Sequence, residues 1–510
     1  MGTPGLLKET ANQSLERFHK GVELLPGEEQ QYACDPKRDD MTQSVWISIC
    51  TCALSGLRLR LKYLVSCCWP ILFALGGCAA PAMQPADEQE MLAVSSVAYH
   101  IRDEYVHDIG ESQIVRACAD ALQEKIGPLP EKSDALIQNG TGTLRSRLRN
   151  VMLAAHSVEP GQSLHALAGE CMRGMMSGLD AKSRFFDEAE IRRFQSNRNV
   201  AGVGLELAGD GRIVSSIEDS PAALAGIQPG DRLVTIDQTP VQGRPLPDIV
   251  SLLQGEAGSA VDLGIERPGE KQGLNFKLVR QLLRVKTVRI ARLDPDTLYI
   301  RISSLRSDTR GELMTGIQDA LKADPSLVRY IVLDLRANSG GPLNAAPGVV
   351  APFVPRGSLV FTTDGKNGDA RMKAYAFPEY YLRNSKDPDH VDAVRPLLAT
   401  ASMAILVDGS TASGGEIVAA ALRQRSNTYI VGTRTAGMND LQVIHFIIGN
   451  RGIKLTNGYW LTPTGQNIAG KGVDLDATFT PPDDPFASRV FMGTEHDANL
   501  KSALSYIKAR

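Results

Sequence analysis

Hydrophobic residues change their spacing along this chain, and the change divides it into regions that must fold differently. Between residues 88 and 195, apolar side chains recur every three or four positions, as in amphipathic helices. After Gly202 the apolar runs are short and strand-like, and from about residue 285 runs such as Val328–Leu335 alternate with helical stretches. The sequence therefore predicts a mixed α+β and α/β multidomain protein, with an N-terminal helical segment, a β-rich module and a core of sheet and helices.

The same spacings, with the two chain ends, predict five segments. Residues 1–56 show no sustained periodicity, and a start site assigned too far upstream would explain them. We predict a leader at 1–77 that contains a signal-like stretch at 57–77, a helical segment at 78–198, a β-rich module at 199–284, a core at 285–485 and a C-terminal helix at 486–510.

The overall charge excludes one broad class of function. The 510 residues include 55 lysines and arginines against 58 aspartates and glutamates, which gives a formal net charge of −3. Without a basic excess the chain lacks the electrostatic footprint of a dedicated nucleic-acid binder. We therefore expect no nucleic acid among its partners.

The eight cysteines are concentrated near the N-terminus, and none follows Cys171. Cys50 and Cys52 have no second cysteine pair or histidine cluster at zinc spacing. We expect no metal, and we expect no cofactor. A disulfide between Cys118 and Cys171 is a hypothesis that depends on export to an oxidising compartment.

A stretch near residue 60 has the order of an export signal. Three basic residues at 58–62 precede the mostly apolar run Tyr63–Leu75, and two glycines and Cys78 close it. This thirteen-residue run is too short to span a bilayer as a helix, and a buried hydrophobic helix is the alternative. The ending resembles a bacterial lipoprotein signal, which implies a lipid anchor at Cys78 and a periplasmic, membrane-anchored protein. By the same resemblance, an aspartate directly after the lipidated cysteine would signal retention in the inner membrane. Ala79 at that position favours the outer membrane.

The β-rich module opens with a glycine-containing loop, formed by Gly202, Val203, Gly204 and Leu205. The order of loop, strands and one small helix resembles a PDZ domain. In that domain, backbone N–H groups of the loop hold the terminal carboxylate of a peptide that adds as a strand to a sheet edge. The resemblance implies protein C-termini or unfolded polypeptides as partners. The alternative is a β-module that is kept only as structure.

A serine lies in a tight turn between a buried-type strand and a helix. The run Met403–Val407 predicts the strand, and Ser413 would lie at the helix N-terminus, where free N–H groups and the helix dipole stabilise negative charge. A second loop, Arg336–Pro342, is rich in backbone donors. Ser413 is thus a candidate nucleophile, and an N-cap without catalysis is the alternative.

Several segments, in one order, resemble the motifs of the carboxyl-terminal processing (tail-specific) serine peptidases. That family combines a helical segment, an inserted PDZ domain and a crotonase-like β-spiral core with a Ser–Lys dyad. The resemblance covers residues 90–480, and the matching segments are Gly174–Asp187, Gly202–Arg280, Leu333–Gly341, Ser410–Glu416, Thr435–Gln442 and Tyr459–Asp476.

The resemblance also assigns the site. It implies Ser413 as nucleophile, the backbone N–H groups of Gly414 and of Gly340 or Gly341 as the oxyanion hole, and Thr435 and Gln442 as supporting residues. Two positions depart from the family pattern. Met438 stands where the family has its dyad lysine, and Gln424 stands where it has a supporting aspartate.

A thioether cannot accept a proton near neutral pH, whereas a lysine desolvated in an apolar pocket can serve as a neutral base. The candidates for a replacement base are His445, which is preferred, Lys454 and Lys471. Asp440 is a further candidate, but the carboxylate of an exposed turn would be too acidic to deprotonate serine. Two functions follow from the resemblance. One is an exported serine endopeptidase that selects substrates by their C-termini, and the other is a catalytically inactive, protease-like protein that binds peptides or regulates an active relative. The family resemblance also allows an adaptor or a second copy of the chain as a partner.

Overall fold

A computed structural model of the protein describes residues 84–130, 142–196, 201–208, 210–217, 220–283, 286–323, 327–382, 389–479 and 492–510. The predicted leader at 1–77 and the lipidation position Cys78 lie outside these residues. Within the described residues, no helix combines the length and the apolar character that crossing a membrane requires.

The N-terminal segment is helical, as its hydrophobic spacing predicts. Ile114 and Leu122 are buried with Leu167, so the helices that carry them pack through their apolar stripes. A disulfide joins Cys118 to Cys171 and confirms the hypothesis drawn from the sequence. The elements are α1 (Pro85–Glu104), α2 (Glu111–Ile126), α3 (Leu144–Val158), α4 (Leu164–Ser177), the short strand β1 (Arg184–Phe186) and α5 (Glu188–Ser196).

The β-rich module contains two small antiparallel sheets, β2–β3 and β5-β4-β6-β7. Alternate residues of one strand, Val261, Leu263 and Ile265, are buried with Ile249, because successive side chains of a strand point to opposite faces. The elements are β2 (Leu205–Leu207), β3 (Ile213–Ser216), α6 (Pro221–Leu224), β4 (Arg232–Ile236), β5 (Thr239–Pro240), α7 (Leu246–Leu253), β6 (Ala260–Glu266) and β7 (Leu274–Val279).

The described residues from 286 onward form a core with two sheets, of which the first has the strand order β17-β14-β13-β10-β9-β8. Its central neighbours β9, β10, β13 and β14 are parallel. The elements are β8 (Val288–Asp294), β9 (Thr297–Ile302), α8 (Thr309–Ala323), β10 (Tyr330–Asp334), α9 (Ala345–Val350), β11 (Leu359–Gly365), β12 (Lys373–Tyr375), α10 (Val391–Leu398), β13 (Ser402–Val407), α11 (Gly414–Leu422), β14 (Thr428–Gly432), β15 (Asp440–Ile447), β16 (Arg451–Leu461), β17 (Ala477–Thr478) and α12 (Ala498–Lys508).

Both faces of the parallel sheet are buried, which explains why its strands are continuous apolar runs. Leu333 and Ile405 pack in the cluster that contains Ile417 of α11. Residues of the opposite face, such as Val332, pack in the cluster that contains Leu500 of α12.

The second sheet has the order β1-β16-β11-β12, with β15 paired to β16. Phe185 of β1 pairs with Ile453 of β16, so a strand from the N-terminal segment extends a sheet of the core. The architecture confirms the predicted mixed α/β multidomain fold.

Candidate functional site

Three loops meet where the parallel strands β10, β13 and β14 end. Each follows the carboxyl end of its strand, the edge at which open α/β sheets place their sites. The Ala412 N–H donates to the carbonyl oxygen of Asn338 at 2.9 Å, and the Thr411 hydroxyl donates to that of Leu335 at 2.8 Å. These bonds fix the turn before α11 against the loop after β10.

The loop after β10 rests on a buried ion network. Arg336 donates to the carboxylate of Asp334 at 2.9 Å and to that of Asp497 at 3.0 Å. Burial raises the pKa of the Asp334 carboxyl, but the positive charge and hydrogen bonds of Arg336 outweigh it, and the pKa is lowered. Because Asp497 also caps α12, the C-terminal helix supports the loop that carries the site glycines.

Ser413 occupies an uncommon backbone conformation at the start of α11. Its φ is +49° and its ψ is −115°, a region that a residue with a side chain enters only when the surrounding structure holds it there. Within the part of the chain that the structure describes, no lysine, histidine or carboxylate side chain hydrogen-bonds the Ser413 hydroxyl.

The predicted oxyanion glycines lie beside this serine, but they are not equivalent. The Gly340 N–H donates to Oδ1 of Asn338 at 2.8 Å, so it is already engaged. Among the described residues, the N–H groups of Gly341 and Gly414 have no acceptor. A Cβ atom added at Gly414 would lie 3.3 Å from the Gly341 nitrogen, which shows how closely the two backbones approach. The geometry therefore favours Gly341 over Gly340 as the second donor.

Glu416, in the first turn of α11, organises the site. Its buried carboxylate accepts from Ser413 N at 2.9 Å, Thr435 Oγ1 at 2.5 Å, Gly437 N at 2.7 Å and Met438 N at 2.9 Å. The sequence motifs assign Glu416 no role of its own. The Ser-x-x-Glu spacing of a capping box was the signal that could have found it.

Met438 has a fixed backbone and an exposed side chain. Its N–H is held by Glu416 and its carbonyl oxygen accepts from Trp460 Nε1 at 3.2 Å, whereas the residue is 42% exposed. Thr435, one of the two predicted supporting residues, also receives the Val473 N–H at 2.9 Å. Thr435 therefore joins the loop after β14 to the loop that follows β16.

The other two predicted positions lie apart from this group. Gln424 follows the C-terminal end of α11 and donates to the carbonyl oxygen of Leu359 at 2.8 Å. At 1.5 Å per helical residue, it is about 16 Å along the axis from Ser413. Gln442 donates to Thr456 Oγ1 at 2.8 Å, and in the described part of the chain it makes no hydrogen bond to Glu416.

The structure directs the candidate replacement bases elsewhere. His445 bonds Glu104 of α1 at 2.8 Å, and the Asp440 carboxylate pairs with Lys182. His445 is five residues along β15 from Asp440, or about 17 Å at 3.3 Å per residue. Lys454 lies opposite Ile444 near that far end of the sheet, and Lys471 is exposed.

The expected peptide-binding loop is buried at Gly202, Val203 and Gly204. Gly202 exchanges backbone hydrogen bonds with Gln281, so its N–H is not available to a ligand. Gly204 has a φ of +83°, and an added Cβ atom would lie 2.2 Å from Cβ of Ser220, so glycine is required there. Among the predicted loop residues, Val203, Gly204 and Leu205 are left as candidate donors.

The chain is similar to known proteins in both its core and its β-rich module. Residues 296–479 match peptidase family S41, and residues 212–267 match the PDZ domain. A carboxy-terminal-processing protease of Bartonella bacilliformis is 31% identical over 322 residues, which are 62% of this chain and 70% of that protein. A Staphylococcus epidermidis relative is 28% identical, and the aligned part spans 63% of this chain but only 62% of that relative. A solved structure assigned to the S41 proteases, from Bacteroides fragilis, aligns with a TM-score of 0.50 at 15% identity, over 81% of this chain and 97% of that one. The chain therefore belongs to the carboxyl-terminal processing proteases of peptidase family S41 and carries a PDZ domain.

Proposed function

We propose that this protein is an exported family member that binds the C-termini of other proteins through its PDZ domain and has lost, or nearly lost, peptide hydrolysis. The observation that carries the proposal is the side chain of Met438. By the resemblance of Thr435–Gln442 to a family motif it stands at the position of the dyad lysine, and Glu416 holds its backbone beside Ser413. A thioether offers the serine hydroxyl no proton acceptor.

The surroundings of Ser413 support this proposal. Lys182 pairs with Asp440, and His445 pairs with Glu104, so the candidate bases Asp440 and His445 are engaged with other groups. Removing the base from a nucleophile–base unit typically lowers turnover by about 10⁴ to 10⁶. Substrate binding does not need that base and would persist.

A second candidate function, an active endopeptidase, is favoured by one observation. Ser413 keeps a strained φ of +49°, and the N–H groups of Gly341 and Gly414 converge beside it without an acceptor in the described part of the chain. Such donors would stabilise an oxyanion and alone leave roughly 10³ to 10⁴ of rate acceleration over water.

Placing a lysine at position 438 distinguishes the inactive peptide-binding protein from the active endopeptidase. We expect the wild-type protein to leave an unstructured substrate with an apolar C-terminus intact and to resist a serine-directed fluorophosphonate. Met438→Lys should raise cleavage by about 10³ or more, while Met438→Leu, which keeps an apolar side chain, should not. The double variant with Ser413→Ala should lose that gain. Labelling of wild-type Ser413 together with turnover would instead establish the active endopeptidase.

Peptide binding is tested separately. A fluorescent peptide with an apolar C-terminus should bind the wild-type protein and the Ser413→Ala variant equally. Amidation of the peptide carboxylate should weaken binding at least about tenfold, since loop N–H groups prefer a charged acceptor. Equal affinity for the acid and the amide would contradict the proposed recognition of C-termini.

A further inference from the structure

Two histidines and a glutamate converge on the side of the molecule where α1 lies against β15. His100 and Glu104 are one helical turn apart on α1, and His445 comes from β15, 341 residues further along the chain. Nδ1 of His100 lies 2.6 Å from Oε1 of Glu104, and Nε2 of His445 lies 2.8 Å from Oε2. One ligand-capable atom from each residue lies within 4.8 Å of the other two.

We propose, against the expectation of no metal drawn from the sequence, that His100, Glu104 and His445 form a binding site for a divalent transition-metal ion, for which Zn²⁺ fits the ligand set best. Two imidazoles and one carboxylate are ligands that zinc uses, with bonds of about 2.0–2.2 Å, and a water molecule completes a tetrahedron. Two atoms that bind one ion lie at most about 4 Å apart at those bond lengths. The three atoms, now within 4.8 Å of one another, would therefore have to approach by about 1 Å to share an ion.

The electrostatic and packing environment favours a cation. The imidazole rings stack with centroids 3.8 Å apart and planes at 21°, and both turn a nitrogen toward the same carboxylate. With neutral imidazoles the group carries one negative charge, which a bound cation would neutralise. The three side chains are 17–27% exposed, so an ion can reach them from solvent.

The location gives this site a structural consequence. α1 belongs to the helical N-terminal segment, whereas β15 begins at Asp440, two residues after Met438. A metal ion would cross-link the two elements, which the hydrogen bond between His445 and Glu104 and the stacked imidazole rings already join. The inference is independent of the proposed function, since neither Ser413 nor the PDZ domain takes part.

Metal binding to the full chain tests the site directly. After dialysis against a chelator, we expect calorimetric titration with ZnCl₂ at neutral pH to give one ion per chain with a dissociation constant of about 1 µM or lower. Zn²⁺ should raise the melting temperature by several degrees. Co²⁺ should give visible d–d absorption bands of a low-symmetry, histidine-containing site, a readout that needs no variant.

Two variants and a control complete the design. His445→Gln should weaken Zn²⁺ binding at least about tenfold, and the His100→Gln/His445→Gln double variant should abolish it. His390→Gln changes an exposed histidine that precedes α10, away from the cluster, and should bind as the wild type does. Melting in chelator verifies that each variant is folded. Wild-type protein without stoichiometric binding at about 100 µM Zn²⁺, or a double variant that binds as tightly, would overturn the proposal.

Discussion

The backbone N–H groups of Ser413 and Met438 donate to one and the same oxygen, Oε2 of Glu416, each at 2.9 Å. The two residues therefore lie within two hydrogen-bond lengths of each other, although 25 positions separate them in the sequence. No side-chain atom of residue 438 takes part in these bonds. These backbone bonds form whichever side chain occupies that position, so a single substitution at residue 438 can test the proposed loss of the base.

Glu416→Gln should destabilise the protein by about 3 kcal/mol, because an amide keeps one acceptor oxygen and turns an NH₂ group toward bound N–H donors. The four bonds that Glu416 accepts would be reduced, and Met438→Lys should no longer gain activity in this background. Urea denaturation measures the first effect. Glu256→Gln, at an exposed position, should change stability by less than about 0.5 kcal/mol. Equal stability of the two variants would contradict the role given to Glu416.

Gly341→Ala should be far more destabilising than Gly414→Ala. An added Cβ atom at Gly341 would lie 1.9 Å from the carbonyl oxygen of Leu305, whereas at Gly414 the nearest atom is the movable Cδ1 of Leu305, at 2.7 Å. We expect losses of about 3 and 1 kcal/mol in chemical denaturation. Gly311→Ala, with open space in helix α8, is the matched control and should be neutral or stabilising. Similar losses at positions 341 and 414 would show that the loop adjusts easily.

Replacing both Cys118 and Cys171 by serine should lower the free energy of unfolding by about 2–4 kcal/mol, since the disulfide closes a loop of 53 residues in the unfolded chain. Thermal or urea denaturation measures the change. The reduced wild-type protein should behave like the double variant, and a reductant should leave the double variant unaffected. A wild-type protein insensitive to reduction would argue that the bridge does not contribute to stability.

Acid should weaken the attachment of α1. Burial raises the pKa of Glu104, but hydrogen bonds from His100 and His445 outweigh it and lower the pKa from 4.5 to about 2. The folded state thus favours the carboxylate, and this stabilisation is present above pH 4.5 and is lost as the pH falls toward 2. In chelator, the wild-type protein should lose on the order of 2 kcal/mol more than Glu104→Gln over that range. Equal losses of stability in the wild type and in Glu104→Gln over this pH range would contradict the contribution of the Glu104 carboxylate.

Cys78 should carry lipid when the gene is expressed in a bacterium with a lipoprotein pathway. Metabolic labelling with an alkyne fatty acid, followed by purification, should label the wild type but not Cys78→Ser. Cys68→Ser, in the preceding apolar run, is the control and should remain labelled. Mass spectrometry should place the mature N-terminus at residue 78. An unlabelled protein that retains residues 1–77 would contradict the proposed export and anchoring.

The sequence by itself determined the broad organisation. Hydrophobic spacing predicted helices before residue 195 and strands after Gly202, and the order of short motifs indicated the peptidase family with its PDZ domain. These features depend on local periodicity and on contiguous residues, which a single sequence displays directly. The methionine at position 438 is likewise read directly from the sequence.

Tertiary structure decided how the site residues relate to one another. Register along β15 carries His445 to Glu104, the length of α11 separates Gln424 from Ser413, and a side-chain bond from Asn338 occupies the Gly340 N–H. Each outcome depends on how far a strand or helix carries a residue and on which distant group it then meets. Motif spacing alone gives neither the distance between two residues nor the group that a side chain meets. It records positions along the chain and not the directions in which folded elements run.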